Sequence, residues 1–147
     1  MVRTKWLDKG FLLFYGGLGL LLAIAGIGLF SAVRETRADL GALENSGKAF
    51  LKALGSGQGD EACALMTRTA RSELAAAQRK DTCPHAVEAF IGPLGDAERD
   101  ELAGSYASRF FPRDGSLGHI NVDDNPLQIS ELLLSEVDGK WLVAEWR

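Results

Sequence analysis

Few side chains in this 147-residue sequence are suited to chemistry, and their spacing limits what they can do. The two histidines are His85 and His119, and the groups that could tune or assist an imidazole are Tyr106, Asp123 and Asp124. General acid–base work needs such groups within hydrogen-bond reach of one another, and no motif here brings them together. Asp123-Asp124 runs straight into Asn125-Pro126, a turn cluster whose carboxylates are ordinarily solvated. On a strand, His119 alternates with Ile120 and Val122, so it points either to the opposite face or towards a pocket; a surface or satisfied histidine is the ordinary reading. Serine, histidine and aspartate are all present without a GxSxG elbow to connect them. Gly55-Ser56-Gly57-Gln58-Gly59 lacks the Lys-Ser/Thr that completes a phosphate loop and reads as a flexible joint. These residues point to a non-enzymatic chain with no catalytic set and no cofactor.

The two cysteines, Cys63 and Cys83, form no CxxC pair, and His85 beside Cys83 supplies too few ligands for a metal. A structural disulfide is the better reading. It requires two successive helices to pack roughly antiparallel, and it implies an oxidising compartment. Closing a loop of this length stabilises a small domain by about 3 kcal/mol.

The strongest signal lies elsewhere. Phe11 to Val33 is an uncharged, largely apolar run long enough to cross a hydrocarbon core of about 30 Å as a helix. It exceeds an ordinary signal-peptide apolar region, and Phe30-Ser31-Ala32 offers no small-x-small cleavage pattern. Arg3, Lys5 and Lys9 precede it, whereas Arg34 and Arg37 behind it are diluted by Glu35 and Asp39. By the positive-inside rule, residues 1–10 are cytoplasmic, 11–33 are a single-pass transmembrane helix, and the remainder lies outside the cell membrane. Residues 34–45, polar with Leu40 and Leu43 interspersed, read as a helical stalk or a continuation of the membrane helix. Beyond the anchor the chain is acidic with scattered basic residues and no basic stripe, which argues against nucleic acid as a partner.

Elements that would position the remaining residues follow from periodicity. Phe50, Leu51 and Leu54 mark a short amphipathic helix over 46–54 that stops at the glycine-rich joint. Asp60 suits the N-cap of a long helix to Lys80, with Ala62, Leu65, Met66, Thr69 and Leu74 as its apolar stripe. A third helix opens at Asp81-Thr82-Cys83-Pro84, carries Val87, Phe90, Ile91 and Leu94 inward, and closes at Pro93 and Gly95. A short helical turn over Ala97 to Leu102 follows.

Strand patterns then take over, with Leu117 to Val122 first. Leu127 to Val137 and Lys140 to Trp146 flank Asp138-Gly139, a strong hairpin signal. In the last strand Trp141, Val143 and Glu145 fall on one side and Leu142, Ala144 and Trp146 on the other. Both sides are largely apolar, which predicts a strand covered on both faces. Helices followed by an antiparallel sheet make an α+β domain.

Several of these features, taken together, resemble the NTF2-like (SnoaL or ketosteroid-isomerase-like) superfamily, in its small membrane-anchored actinobacterial versions. The residues that carry the likeness are Ala49-Phe50-Leu51-Lys52-Ala53-Leu54, the Gly59-Asp60 junction, Glu61-Ala62-Cys63-Ala64-Leu65-Met66, Cys83 opening a helix, and Asp138-Gly139-Lys140-Trp141-Leu142-Val143. The resemblance spans most of residues 46–147 and implies helices packed on a curved antiparallel sheet, a cone with an apolar pocket. The region from Tyr106 to Asn125 has fewer strand signals than the family pattern, which implies a truncated sheet. Phe90, Tyr106, His119, Trp141 and Trp146 are the candidates for lining a pocket or an interface. The fold alone does not assign a function. The expectation is a tethered extracytoplasmic module that binds a protein partner in an envelope assembly, with a small apolar ligand as the alternative.

Overall fold

The computed structural model describes residues 39–105, 107–110 and 117–147, and Leu40–Arg147 forms a compact unit of its own. The expected cytoplasmic segment, the transmembrane helix 11–33, the start of the stalk and Tyr106 lie outside the described residues. Among the described residues, no helix is long and apolar enough to cross a membrane.

The first helix, α1, is described over 39–55. Leu43, Phe50, Leu51 and Leu54 recur at helical spacing and are all buried. Glu44 accepts from Lys48 at 2.7 Å one turn on, across the exposed side. No break separates the expected stalk from the helix beginning at residue 46, which corrects both boundaries. Leu43 belongs to the core because Gly118, on the sheet beneath it, has no side chain to hold it off.

The predicted single helix from Asp60 to Lys80 is two helices, α2 (Gly59–Ala64) and α3 (Arg68–Ala77). Leu65 to Thr67 leave helical geometry to pair with the last strand: Val143 N–H donates to the Leu65 carbonyl and Thr67 N–H to the Val143 carbonyl, both at 2.8 Å. The Thr67 hydroxyl then accepts from Ala70 N–H at 3.2 Å and caps α3. Gln58, not Asp60, is the N-cap of α2, and Thr69 is exposed while Ala70 takes the buried place.

Helix α4 (Cys83–Ile91) carries Pro84 in its first turn, where a missing N–H costs nothing. Val87 and Ile91 are buried and Phe90 and Leu94 half-buried, as the spacing predicts. Arg99 donates to the carbonyls of Leu94 and Ile91 near the end of α4, joining it to α5 (Asp96–Gly104).

Four antiparallel strands follow in the order β1-β2-β3-β4: β1 (Ala107–Phe110), β2 (Leu117–Val122), β3 (Glu131–Val137) and β4 (Lys140–Trp146). The domain is therefore α+β. Strand β3 starts four residues later than its sequence pattern suggests, because 126–130 form a loop in which Gln128 has φ 57°. The Asp138-Gly139 turn is in place, both residues with positive φ.

One irregularity decides which side chains meet. Leu134 pairs with Val143, but its neighbour Leu133 pairs with Glu145, so Ala144 is an extra residue on β4. The bulge breaks the strict alternation read from the sequence. Trp141, Val143 and Trp146 share the face that carries Leu132 and Leu134, while Leu142 and Glu145 fall on the other. The expectation of full cover on both faces fails: Trp141 and Val143 are buried, Leu142 is half-buried, and Lys140 and Glu145 are exposed.

Helix α1 lies directly on the sheet. A methyl group on Gly47 would run into Ile120, and one on Gly118 into Leu43. Phe50, Leu54, Ile120, Leu132, Leu134 and Val143, each at most 1% exposed, fill the space between helix and sheet.

Candidate functional site

Cys63 and Cys83 are joined as a disulfide, with their Cα atoms 6.1 Å apart. The bond clamps α2 to the first turn of α4, where Gly59 already lies against Pro84. Its effect is to fix α4, and with it Phe90, against the rest of the domain.

Phe90 is one wall of a groove formed by α3, α4 and the end of β4, with a volume of about 260 Å³. Leu74, Ala77 and Ala144 form apolar parts of its lining, and Trp146 stands beside Phe90 with ring centroids 6.1 Å apart. Behind Trp146, the buried Phe50 of α1 packs at 6.0 Å, so the indole is held from within and open on one side. Glu73, Gln78 and Glu145 supply the polar part of the lining.

Glu145 accepts from Arg147 Nε at 2.9 Å. That hydrogen bond holds its carboxyl below the ordinary glutamate range and raises the guanidinium's own pKa. Both side chains are more than half exposed, so solvent screens the pair.

Of the five candidates named from sequence, the structure brings Phe90 and Trp146 together. Trp141 is 7% exposed and belongs to the core, away from the groove. His119 lies on the sheet face turned away from Ile120, where its Nδ1 is 2.9 Å from Glu131 Oε1. Tyr106 lies outside the described residues.

Asp123 and Asp124 sit exposed in a loop organised by the buried Asn125, whose amide donates to the carbonyls of Asp123 and Ile129 and accepts from Ile129 N–H. That loop lines a second depression of about 350 Å³. A third, of about 360 Å³, lies between Lys48 and Lys52 of α1 and the end of α5. Among the described residues, no three histidine, cysteine or acidic side chains converge on a metal position.

Sequence reasoning missed Glu73 and Glu145 as lining residues of the groove. Glu73 is exposed on α3, and helical spacing alone does not show which strand lies beside it. Strict alternation puts Glu145 on the side of Trp141, but the bulge at Ala144 exchanges it with Trp146, which joins the face of Trp141 while Glu145 turns to the other. The chain matches no known protein family, no curated protein and no solved structure.

Proposed function

We propose that this protein is a non-catalytic, single-pass membrane-tethered interaction module of NTF2-like type, with its C-terminal domain outside the cell membrane, docking an envelope protein through the α3–α4–β4 groove. The reading combines the apolar run at 11–33 with a groove whose aromatic wall is pre-formed. The observation that carries it is the position of α1: its side chains fill the helix-facing side of the sheet, where a cone would hold its ligand, while Phe90 and Trp146 remain half-buried at the surface. Half-exposed aromatics backed by a rigid core are the usual anchors of protein interfaces. The disulfide supports an extracytoplasmic domain. The four-stranded antiparallel meander with helices on one face and a bulge in its last strand is compatible with a short NTF2-like sheet.

The test is cross-linked affinity purification of the full-length protein from its own membranes. Recovery of a near-stoichiometric envelope protein is expected, and Ala77→Trp, an exposed position that would fill the groove from α3, should abolish it. Recovery of the protein alone would overturn the reading in favour of a small apolar ligand. A partner retained by the Ala77→Trp protein would overturn the choice of groove.

A further inference from the structure

The groove lies beside the outer edge of β4, where the sheet is still open to a further strand. Arg147 and Glu131 exchange both of their backbone hydrogen bonds, Arg147 N–H donating at 3.0 Å and Glu131 N–H at 3.1 Å. In an antiparallel ladder such pairs alternate with pairs whose N–H and C=O groups point away from each other. Trp146, opposite Leu132, is therefore a residue whose N–H and C=O point out of the sheet's edge. Among the described residues, neither group is hydrogen-bonded. Earlier on the strand the same edge is already used. Val143 turns its N–H and C=O outward to Leu65 and Thr67, and Met66, bridged to Val143 in parallel, buries its side chain in the core. Helix α3 then carries the chain away, and the backbone of Trp146 is left beside the groove.

We infer that, on the docking reading above, the groove receives an extended segment of the partner protein, added to the β4 edge at Trp146 with a large apolar side chain set against Phe90 and Leu74. A residue that faces Trp146 across a ladder shares its face of the sheet, as Met66 does beside Val143, so its side chain enters on the side where Phe90, Leu74 and Ala77 line the groove. A helix brings no free backbone groups to such an edge, because its own N–H and C=O groups bond within it. A compact apolar ligand would fill the groove and leave the Trp146 donor and acceptor unmet. An extended chain meets both demands, the backbone pairing giving affinity and the inserted side chain giving specificity. No charge is required of it: Glu145 turns to the opposite face of the sheet, where it pairs with Arg147, and Glu73 stays exposed on α3. The site is in place before the segment arrives, because the disulfide fixes α4, which carries Phe90, and Phe50 backs the Trp146 ring at 6.0 Å.

The first readout needs no ligand. In isotope-labelled full-length protein in lipid nanodiscs, the Trp146 backbone amide should exchange its hydrogen at least about tenfold faster than that of Val143, which is bonded to Leu65. The probe is the acetylated and amidated pentapeptide Thr-Val-Leu-Val-Thr, with its analogue N-methylated at every internal amide as control. The unmodified peptide should shift the Trp146 backbone amide signal saturably and slow its exchange. The methylated analogue, which has lost its donors and its close approach to the edge, should bind about tenfold weaker. Serine in place of the peptide's leucine should weaken binding by about the same factor, and Ala77→Trp should abolish the shift. A Trp146 amide already protected in the free protein, a signal unmoved by the peptide, or equal binding of the methylated analogue overturns the inference, the last in favour of an occupant held by its side chains alone. If recovery of an envelope protein remains sensitive to Ala77→Trp while the Trp146 amide ignores the peptide, the docking reading stands and this inference falls. A peptide response in a protein that recovers no partner overturns the docking reading, and with it the assignment of the segment to a partner.

Discussion

At the scale of single residues, the tightest constraint is the absence of a side chain. Gly118 of β2 faces Leu43 of α1 so closely that one added methyl group must displace the leucine, itself fully buried. Gly118→Ala should therefore destabilise the domain by about 2 kcal/mol, read as a lower urea midpoint with the slope unchanged. Neither Gly47 nor Gly118 announces this role in the sequence, because a glycine in a helix or strand reads only as a weak point until its neighbour across the core is known. The Glu145–Arg147 pair is testable by pH. Arg147 lowers the Glu145 pKa chiefly by donating a hydrogen bond to the carboxylate. A depressed folded-state pKa means that the contact contributes above the unfolded pKa and is lost as the pH falls through the folded one. Carboxyl-carbon NMR should place the Glu145 titration below that of an ordinary glutamate, and Arg147→Gln should move it back up. The anchoring aromatics Phe90 and Trp146 were visible from sequence as large apolar residues near the ends of their elements. His119 and Trp141 were equally visible but belong to other surroundings, since a residue's type does not tell which face of a sheet it joins.

At the scale of elements, local rules carried far and failed where two distant segments compete for the same backbone groups. The helix after Asp60 has continuous helical spacing, yet it breaks at Leu65 to Thr67 because the edge of β4 supplies hydrogen-bonding partners there, and Thr67 can restart the helix as a cap. The bulge at Ala144 is likewise absent from the residue pattern, although it determines that Trp146 faces Phe50 and Phe90. The hairpin turn, the start of α4 at Cys83-Pro84 and the cysteine pairing were all legible, since each depends on residues close in sequence or on a small number of alternatives. Replacing both Cys63 and Cys83 by serine should cost about 3 kcal/mol, the loop-closure value for a separation of 20 residues. The groove should respond too: with α4 no longer clamped to α2, Phe90 loses its fixed distance from Trp146. Fluorine NMR of fluorotryptophan-labelled protein would show this as a broadened Trp146 signal in the double-serine variant.

Across the whole molecule, the α+β class followed from helices preceding strands, and the domain's core begins within the segment first read as a stalk because packing on the sheet recruits Leu43. The proposed tethered topology makes a definite prediction of its own. In intact cells, an external protease should remove epitopes placed in the exposed Ser56–Gln58 turn but leave an N-terminal epitope untouched, and carbonate washing should leave the full-length protein with the membranes. Protection of the outer epitope in intact cells would reverse the proposed orientation. A last consequence follows from the short pairing of Leu65 and Thr67 with Val143. A strand at the margin of a sheet invites any similar chain to continue the ladder, and the danger rises steeply when copies are confined to one plane. By laying the junction between two of its own helices against Val143, the protein occupies that part of the margin, so a neighbouring copy cannot continue the ladder there.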